Sequence, residues 1–177
     1  LKKFFKKKLD KFFEIIHFLP FYPSSSDSGF AVKDHYQVDK KLGDWSDIYK
    51  QSKTTNIMAD IVINHASSKG LWFKNFLVNK SPGKDYFLTV NKKFDISKVI
   101  RPRENRLLKR ISIFKKNNLL WRTFSDDQID LNFKSPKVLL RFIKIIINLA
   151  NNGVTIFRLD AIAYLWKKSG SKCVNLK

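Results

Sequence analysis

The sequence predicts an α/β fold in which parallel strands alternate with helices, as in part of a (β/α)8 TIM barrel. Three observations carry that prediction. Short apolar runs at residues 14–20, 57–63 and 155–159 have strand length and are separated by stretches of helical periodicity. The second run is almost continuously apolar, with Ile57, Met58, Ala59, Ile61, Val62 and Ile63 enclosing Asp60, as in a parallel strand covered on both faces. Polar groups gather where the runs stop: Asn64 and His65 follow the second, Asp160 closes the third, and barrels carry their chemistry at the C-terminal ends of their strands.

The opening LKKFFKKKLDKFF repeats Phe4, Phe5, Leu9, Phe12 and Phe13 at helical spacing and predicts an amphipathic helix packed on the protein's own core. EIIHFLPFYPS follows as a buried strand, which Pro23 and a serine cluster turn into a long polar loop dense in Asp and His. A helix over residues 45–53 leads into the second strand. Residues 70–128 lose the alternation, carry SPGKDYF, RPREN and a basic stretch, and read as an inserted loop subdomain within a partial barrel domain spanning 1–177. SPKVLLRFIKIIINLANNG predicts a helix opened at Ser135-Pro136 and closed at Asn152-Gly153. VTIFRLDAIAY is the third strand, and the apolar pattern after it predicts one more helix.

At 177 residues the chain has material for one core, and the single Cys173 excludes a disulfide framework and suits a reducing, cytoplasmic setting. No apolar run reaches the roughly 18 residues of a membrane helix. The glycines match neither the dinucleotide nor the phosphate-loop spacing. The net charge of +20 admits a nucleic-acid or membrane partner, yet the lysines are spread over the whole chain without a basic stripe, so solvated surface is the reading preferred and neither partner is expected. The opening on Leu1 rather than Met, and the close at Lys177 just after a helical pattern, lead to the expectation of a fragment.

Taken singly, an Asp in a strand is a hydrogen-bonded structural group, an Arg near an Asp an ion pair, and His65 the cap of a turn. Arg158 and Asp160 stand two residues apart and so share a strand face. Such groups at the ends of successive strands form a constellation. DIVINH and FRLDA resemble the first and second sequence regions of the α-amylase superfamily, glycoside hydrolase family thirteen. DSGFAVKDHYQVD, GDWSDIYKQSKTTNIMADIVINH, IRPREN, WRTFSDDQIDLN and FRLDAIAYLWKKSG further resemble, in order and spacing, the sucrose phosphorylases and their close relatives.

That resemblance implies about strands two to four of the barrel, with the insertion between the third and fourth, and retaining glucosyl transfer from an α-glucoside such as sucrose to inorganic phosphate, with no cofactor and no metal. Asp160 is implied as the nucleophile. Arg158 is implied as the charge that lowers its pKa and orients it. Asp27 and His65 are implied as sugar hydroxyl binders, Phe30 as the apolar platform, and Gln128 and Tyr164 as residues near the acceptor. Asp60 and Asn64 are implied as scaffold, while Asp34 and His35 stay open. The family's general acid/base Glu and a His-Asp pair belong to later strands, so the chain is expected to be inactive alone. Glucosylglycerate phosphorylase, amylosucrase, α-glucosidase and a non-catalytic carbohydrate-binding remnant are the alternatives; the oligomeric state stays open. If the charge is only solvated surface, DNA should be retained weakly, without sequence preference and with steep loss as salt rises; salt-resistant, sequence-selective retention in a filter-binding assay would overturn this.

Overall fold

The computed structural model describes residues 12–113 and 116–176. The helix expected over the opening lies, up to Lys11, outside the described residues. The elements, in chain order, are β1 (Ile15–Phe18), α1 (Trp45–Ser52), β2 (Asn56–Val62), β3 (His65–Ser67), α2 (Leu71–Leu77), β4 (Thr89–Val90), β5 (Leu108–Ile113), β6 (Lys116–Trp121), β7 (Gln128–Asp130), α3 (Pro136–Asn151) and β8 (Val154–Asp160). The three strands expected from the apolar runs pair in parallel in the order β1-β2-β8.

The central strand β2 explains the layering. Ile57, Ala59 and Ile61 alternate along it and are wholly buried, in one cluster with Ile48 and with Val138, Phe142, Ile145 and Leu149 of α3. Those four α3 residues recur at helical spacing, so one stripe of the helix faces the sheet, while Leu139, Leu140, Ile143 and Ile147 point outward. Pro136 opens α3 at its first turn, and Gly153, with φ +91°, lets the chain reverse where an added Cβ would stand 2.2 Å from Ser52 Oγ. Asp44 caps α1 by accepting from Ser46 N and Asp47 N, and Asp47 reciprocates on Asp44 N.

The loop after β1 is pinned onto this sheet. Tyr22 is buried and donates its hydroxyl to the Asp60 carbonyl at 3.0 Å. His35 stacks on Trp72 at 5.2 Å and reaches the Val62 carbonyl at 3.3 Å, and Asp34 accepts from Tyr36 N. Both residues left open by the sequence are thus tied into loop structure. Residues 70–128 hold α2 and a three-stranded antiparallel sheet ordered β4-β6-β5, with Val90, Leu107, Trp121 and Cys173 clustered beneath it. β3 and β7 pair antiparallel, aligning His65 with Asp130 and Ser67 with Gln128.

Two expectations are corrected. The first strand is not buried: β1 and β8 are the outer strands of the sheet, and Ile15 and Leu159 remain 43% and 38% exposed, because no further strand covers either edge among the described residues. No α-helix follows β8 among the described residues. Ala161 takes left-handed φ, residues Ile162–Tyr164 make one 3₁₀ turn, and the tail lies along the insertion through Gly170 N to Asp95 O and Ile100 N to Lys172 O. Ile162 and Trp166 stay largely exposed, and Lys167 turns inward to a buried carboxylate instead of outward from a helix. Replacing the wholly buried Ile61 by Ala should cost about 2–5 kcal/mol in urea unfolding, whereas Leu140→Ala on the outer face of α3 should change stability by about 0.5 kcal/mol or less.

Candidate active site

Parallel register places the strand-end polar groups on one face of the sheet. Asp60 is level with Arg158, Val62 with Asp160, and His17 with Met58 one step below, so His17, Asp60, Arg158 and Asp160 project from the same side. Asp60 is fully buried and lies between two bases: His17 Nε2 is 3.0 Å from Oδ2, and Arg158 bonds Oδ1. Arg158 Nη1 also reaches Asp160 Oδ1 at 3.4 Å. Its shorter ion pair is therefore with Asp60, a partner set by cross-strand register that a single strand's pattern does not reveal.

The sequence reading had Arg158 lower the Asp160 pKa; the structure corrects the net direction. Burial pushes the Asp160 carboxyl up, Arg158 pulls it down, and the negative charges of Asp60 and Asp27 raise it further, leaving it above the ordinary value. Arg158 is shared with Asp60. What remains is an orienting contact at the mouth of a cavity.

That cavity, about 290 Å³, is lined by Asp27, Ser28, Phe30, His65, Arg103, Phe124, Gln128 and Asp160. Asp27 sits in a 3₁₀ turn with φ +55°, and both Arg103 terminal nitrogens donate to it at 3.2 Å. Burial raises the Asp27 carboxyl, but the hydrogen bonds of Arg103 and Gln128 outweigh it and the net shift is downward. Gln128 Nε2 donates to Asp27 Oδ2 at 2.8 Å and stands 3.0 Å from His65 Nε2. Gln128 Oε1, in a side chain 1% exposed, has no hydrogen-bond partner among the described residues. An acceptor in that position calls for a ligand that donates.

His65 is buried, and burial pushes its pKa down to about 4, so the ring is neutral near pH 7. Asn64 Nδ2 faces its Nδ1, which assigns the proton to Nε2, donating to the Phe30 carbonyl at 3.1 Å. Phe30 thus contributes both a ring at the wall and a carbonyl that fixes His65. Tyr164 does not line the cavity; its ring stands edge-on behind Phe124 at 5.3 Å. A larger cavity of about 630 Å³, between the end of β1 and α1, contains none of the strand-end groups and is walled by Phe18, Leu19, Val38 and Leu42.

Residues missed by sequence reasoning hold this arrangement. Arg103 and Phe124 come from the insertion. Asp130, fully buried, accepts from Lys167 Nζ at 2.6 Å, from Thr123 N and Oγ1, and from Asn64 Nδ2. Lys167 also bonds the Tyr164 carbonyl. Strand-end position was the signal used, and none of these residues has it except Asp130. Among the described residues no group of three or more His, Cys, Asp or Glu is placed to hold a metal ion, and no helix is long and apolar enough to cross a membrane. Chemically, the site offers two carboxylates, Asp27 and Asp160, and the Arg103 guanidinium beside the neutral polar groups of His65 and Gln128, a lining that suits a polyhydroxylated ligand.

Comparison with known proteins agrees with that reading of the fold. The family model of the alpha amylase catalytic domain matches residues 7–175. The chain is 41% identical over 176 residues to a glucosylglycerate phosphorylase of Escherichia coli (strain K12), covering 99% of this chain and 32% of the relative. It is 34% identical over 178 residues to a sucrose phosphorylase of Agrobacterium vitis, covering 94% and 36%. The crystal structure of a sucrose 6F-phosphate phosphorylase from Thermoanaerobacter thermosaccharolyticum superimposes with a TM-score of 0.90 at 31% identity, over 99% of this chain and 39% of that one. The chain spans about a third of the length of the curated relatives it matches.

A raised Asp160 pKa has a stability consequence of definite sign. The folded state binds this proton more tightly than the unfolded chain, so ionisation costs folding stability as pH rises through the unfolded value near 3.9 and then the higher folded one. The stability of Asp160→Asn relative to the unsubstituted chain should therefore climb between about pH 3 and the top of the carboxylate range, then level off, as followed by denaturant titrations at each pH.

Proposed function

The chain belongs to the alpha-amylase catalytic-domain family, and from that premise we propose that its strand-end cavity binds the glucosyl unit of an α-glucoside and passes it, through Asp160, to inorganic phosphate. One observation carries the reading. Asp160 opens into the same cavity as Asp27, the Gln128 amide that donates to it, and His65, while Arg158 holds it from behind. Asp27 and Gln128 Oε1 supply acceptors for sugar hydroxyls, and the neutral His65 sits against them. Phe30 and Phe124 supply apolar walls for the ring's C–H face.

The chemistry runs in two displacements. The Asp160 carboxylate attacks the anomeric carbon, the bond to the leaving oxygen breaks, and a glucosyl ester forms; a phosphate oxygen then displaces Asp160 from the opposite face and yields α-glucose 1-phosphate. Two inversions retain the configuration. The leaving oxygen needs a proton, and the two glutamates of the sequence, Glu14 and Glu104, line no part of the cavity. Turnover by these residues alone is therefore proposed to be poor. Identity of 41% to a glucosylglycerate phosphorylase, against 34% to a sucrose phosphorylase, supports glucosylglycerate ahead of sucrose as donor. A cytoplasmic location, where Cys173 stays reduced and phosphate is at hand, belongs to the same proposal, as does the lack of nucleic-acid or membrane partners.

α-Glucosyl fluoride separates the covalent step from the missing acid, because fluoride leaves without a proton. The 177-residue chain should gain the mass of one glucosyl unit on Asp160, lose it to added phosphate as α-glucose 1-phosphate, and gain nothing as Asp160→Asn. With glucosylglycerate or sucrose, whose leaving oxygens need protonation, labelling should be slower by about 10²-fold or more. Labelling at another residue, or none with the fluoride, would sink the proposal; labelling released by water and not by phosphate would move the activity to hydrolysis.

A further inference from the structure

Asp127 takes no part in the chemistry above, yet five donors converge on it. Its Oδ2 accepts from Ser25 Oγ at 2.5 Å and Ser26 Oγ at 2.7 Å. Its Oδ1 accepts from Ser67 Oγ at 3.1 Å, Ser68 Oγ at 2.7 Å and Ser68 N at 3.1 Å. Ser25 and Ser67 also meet each other at 2.5 Å. Burial pushes the Asp127 carboxyl up, but the bonds from Ser25, Ser68, Ser26 and Ser67 outweigh it and the net shift is downward. The neighbouring Asp126 is bonded to Arg122, and no Lys, Arg or His forms an ion pair with Asp127 among the described residues. Hydroxyls, not a cation, hold this anion.

The four serines are not scattered. Ser25 and Ser26 immediately precede Asp27, Ser67 and Ser68 follow His65 in β3 and the turn beyond it, and Asp127 itself adjoins Gln128. Every member of the Asp27–Gln128–His65 set is thus within two residues of a bond to one carboxylate. We infer that Asp127 is a positioning residue whose serine-saturated carboxylate sets the spacing of Asp27, His65 and Gln128 across the cavity. It joins three segments far apart in sequence, the loop after β1, the end of β3 and the start of β7. Only an ionised carboxylate accepts from both sides at once. A neutral amide turns one oxygen into a donor facing hydroxyls that already donate, and the Ser68 N–H cannot reverse. What the positioned set binds rests on the sugar-site reading; that the clasp positions it does not.

The test compares Asp127→Asn with Asp126→Asn, which removes the same charge one residue earlier. Amide hydrogen exchange reads the loops directly, and the concentration dependence of glucosylation by α-glucosyl fluoride reads the site. Asp127→Asn should speed exchange at residues 25–31 and 67–69 by about tenfold while leaving Asn56–Val62 unchanged. It should raise the half-saturating fluoride concentration by about tenfold and change the limiting rate by less than about threefold, the mark of lost binding geometry and not lost chemistry. Asp126→Asn should do neither. Uniform acceleration that includes Asn56–Val62 would reduce Asp127 to a general stability role, and unchanged exchange at the loops would overturn the clasp outright. If the unsubstituted chain takes no glucosyl unit, the proposed function falls and the exchange comparison alone decides the clasp.

Discussion

A carboxylate buried at the centre of a sheet must be compensated, and Asp60 makes that demand on everything around it. It is 0% exposed in β2, where an uncompensated charge would cost several kcal/mol. Arg158 from β8 and His17 from β1 meet it from either side, so one buried group ties the three parallel strands together. Its carbonyl also takes the Tyr22 hydroxyl and so anchors the loop that carries Asp27. The pair adds little net stability over an apolar substitute, but it penalises any register in which Arg158 is not level with Asp60. Fixing Arg158 fixes Asp160 two residues on. Sheet register and site geometry are thus the same fact.

Above that layer the site is built from charges already satisfied. Arg103 is bound to Asp27, Arg158 to Asp60 and Lys167 to Asp130, so the +20 of the chain is not concentrated in the cavity. The buried Lys167–Asp130 pair acts through Asn64, which touches both and faces His65 Nδ1. That chain of bonds selects one tautomer, and burial keeps the ring neutral. A neutral imidazole with its Nε2 proton committed to Phe30 contributes shape and polarity to the wall without a second cation beside Asp160. Among the described residues Asp160 keeps its one ion-pair contact, with Arg158.

Local signals read well and long-range ones did not. The strand at 57–63 and the helix opened by Ser135-Pro136 were legible because periodicity and capping are properties of neighbours, and both were found within a residue or two. His65 and Asp160 were legible because a polar residue ending an apolar run is conspicuous. Arg103 reaches Asp27 across 76 positions, and Asp127 reaches its serines across 59 to 102, from an insertion with no periodic pattern to place it. The segment after Asp160 misled for the opposite reason. Its apolar spacing fits a helix, but Lys167 gains more from the buried Asp130 than from solvent, and the tail follows it.

The outer position of β8 bears on how these charges work. Arg158 is about half exposed, so water screens its attraction to Asp160. Covering that edge would strip the solvent from both groups, strengthening the ion pair and raising the cost of the buried carboxylate together. Arg158 is shared with Asp60, whose own exposure is already zero, so its attraction is divided between the two carboxylates. Burial, with the negative charges of Asp60 and Asp27, holds the Asp160 proton affinity above that of a free carboxylate, and Arg158 offsets this only in part. The contact with Asp60 that fixes the strands thus also limits what Arg158 can do for Asp160.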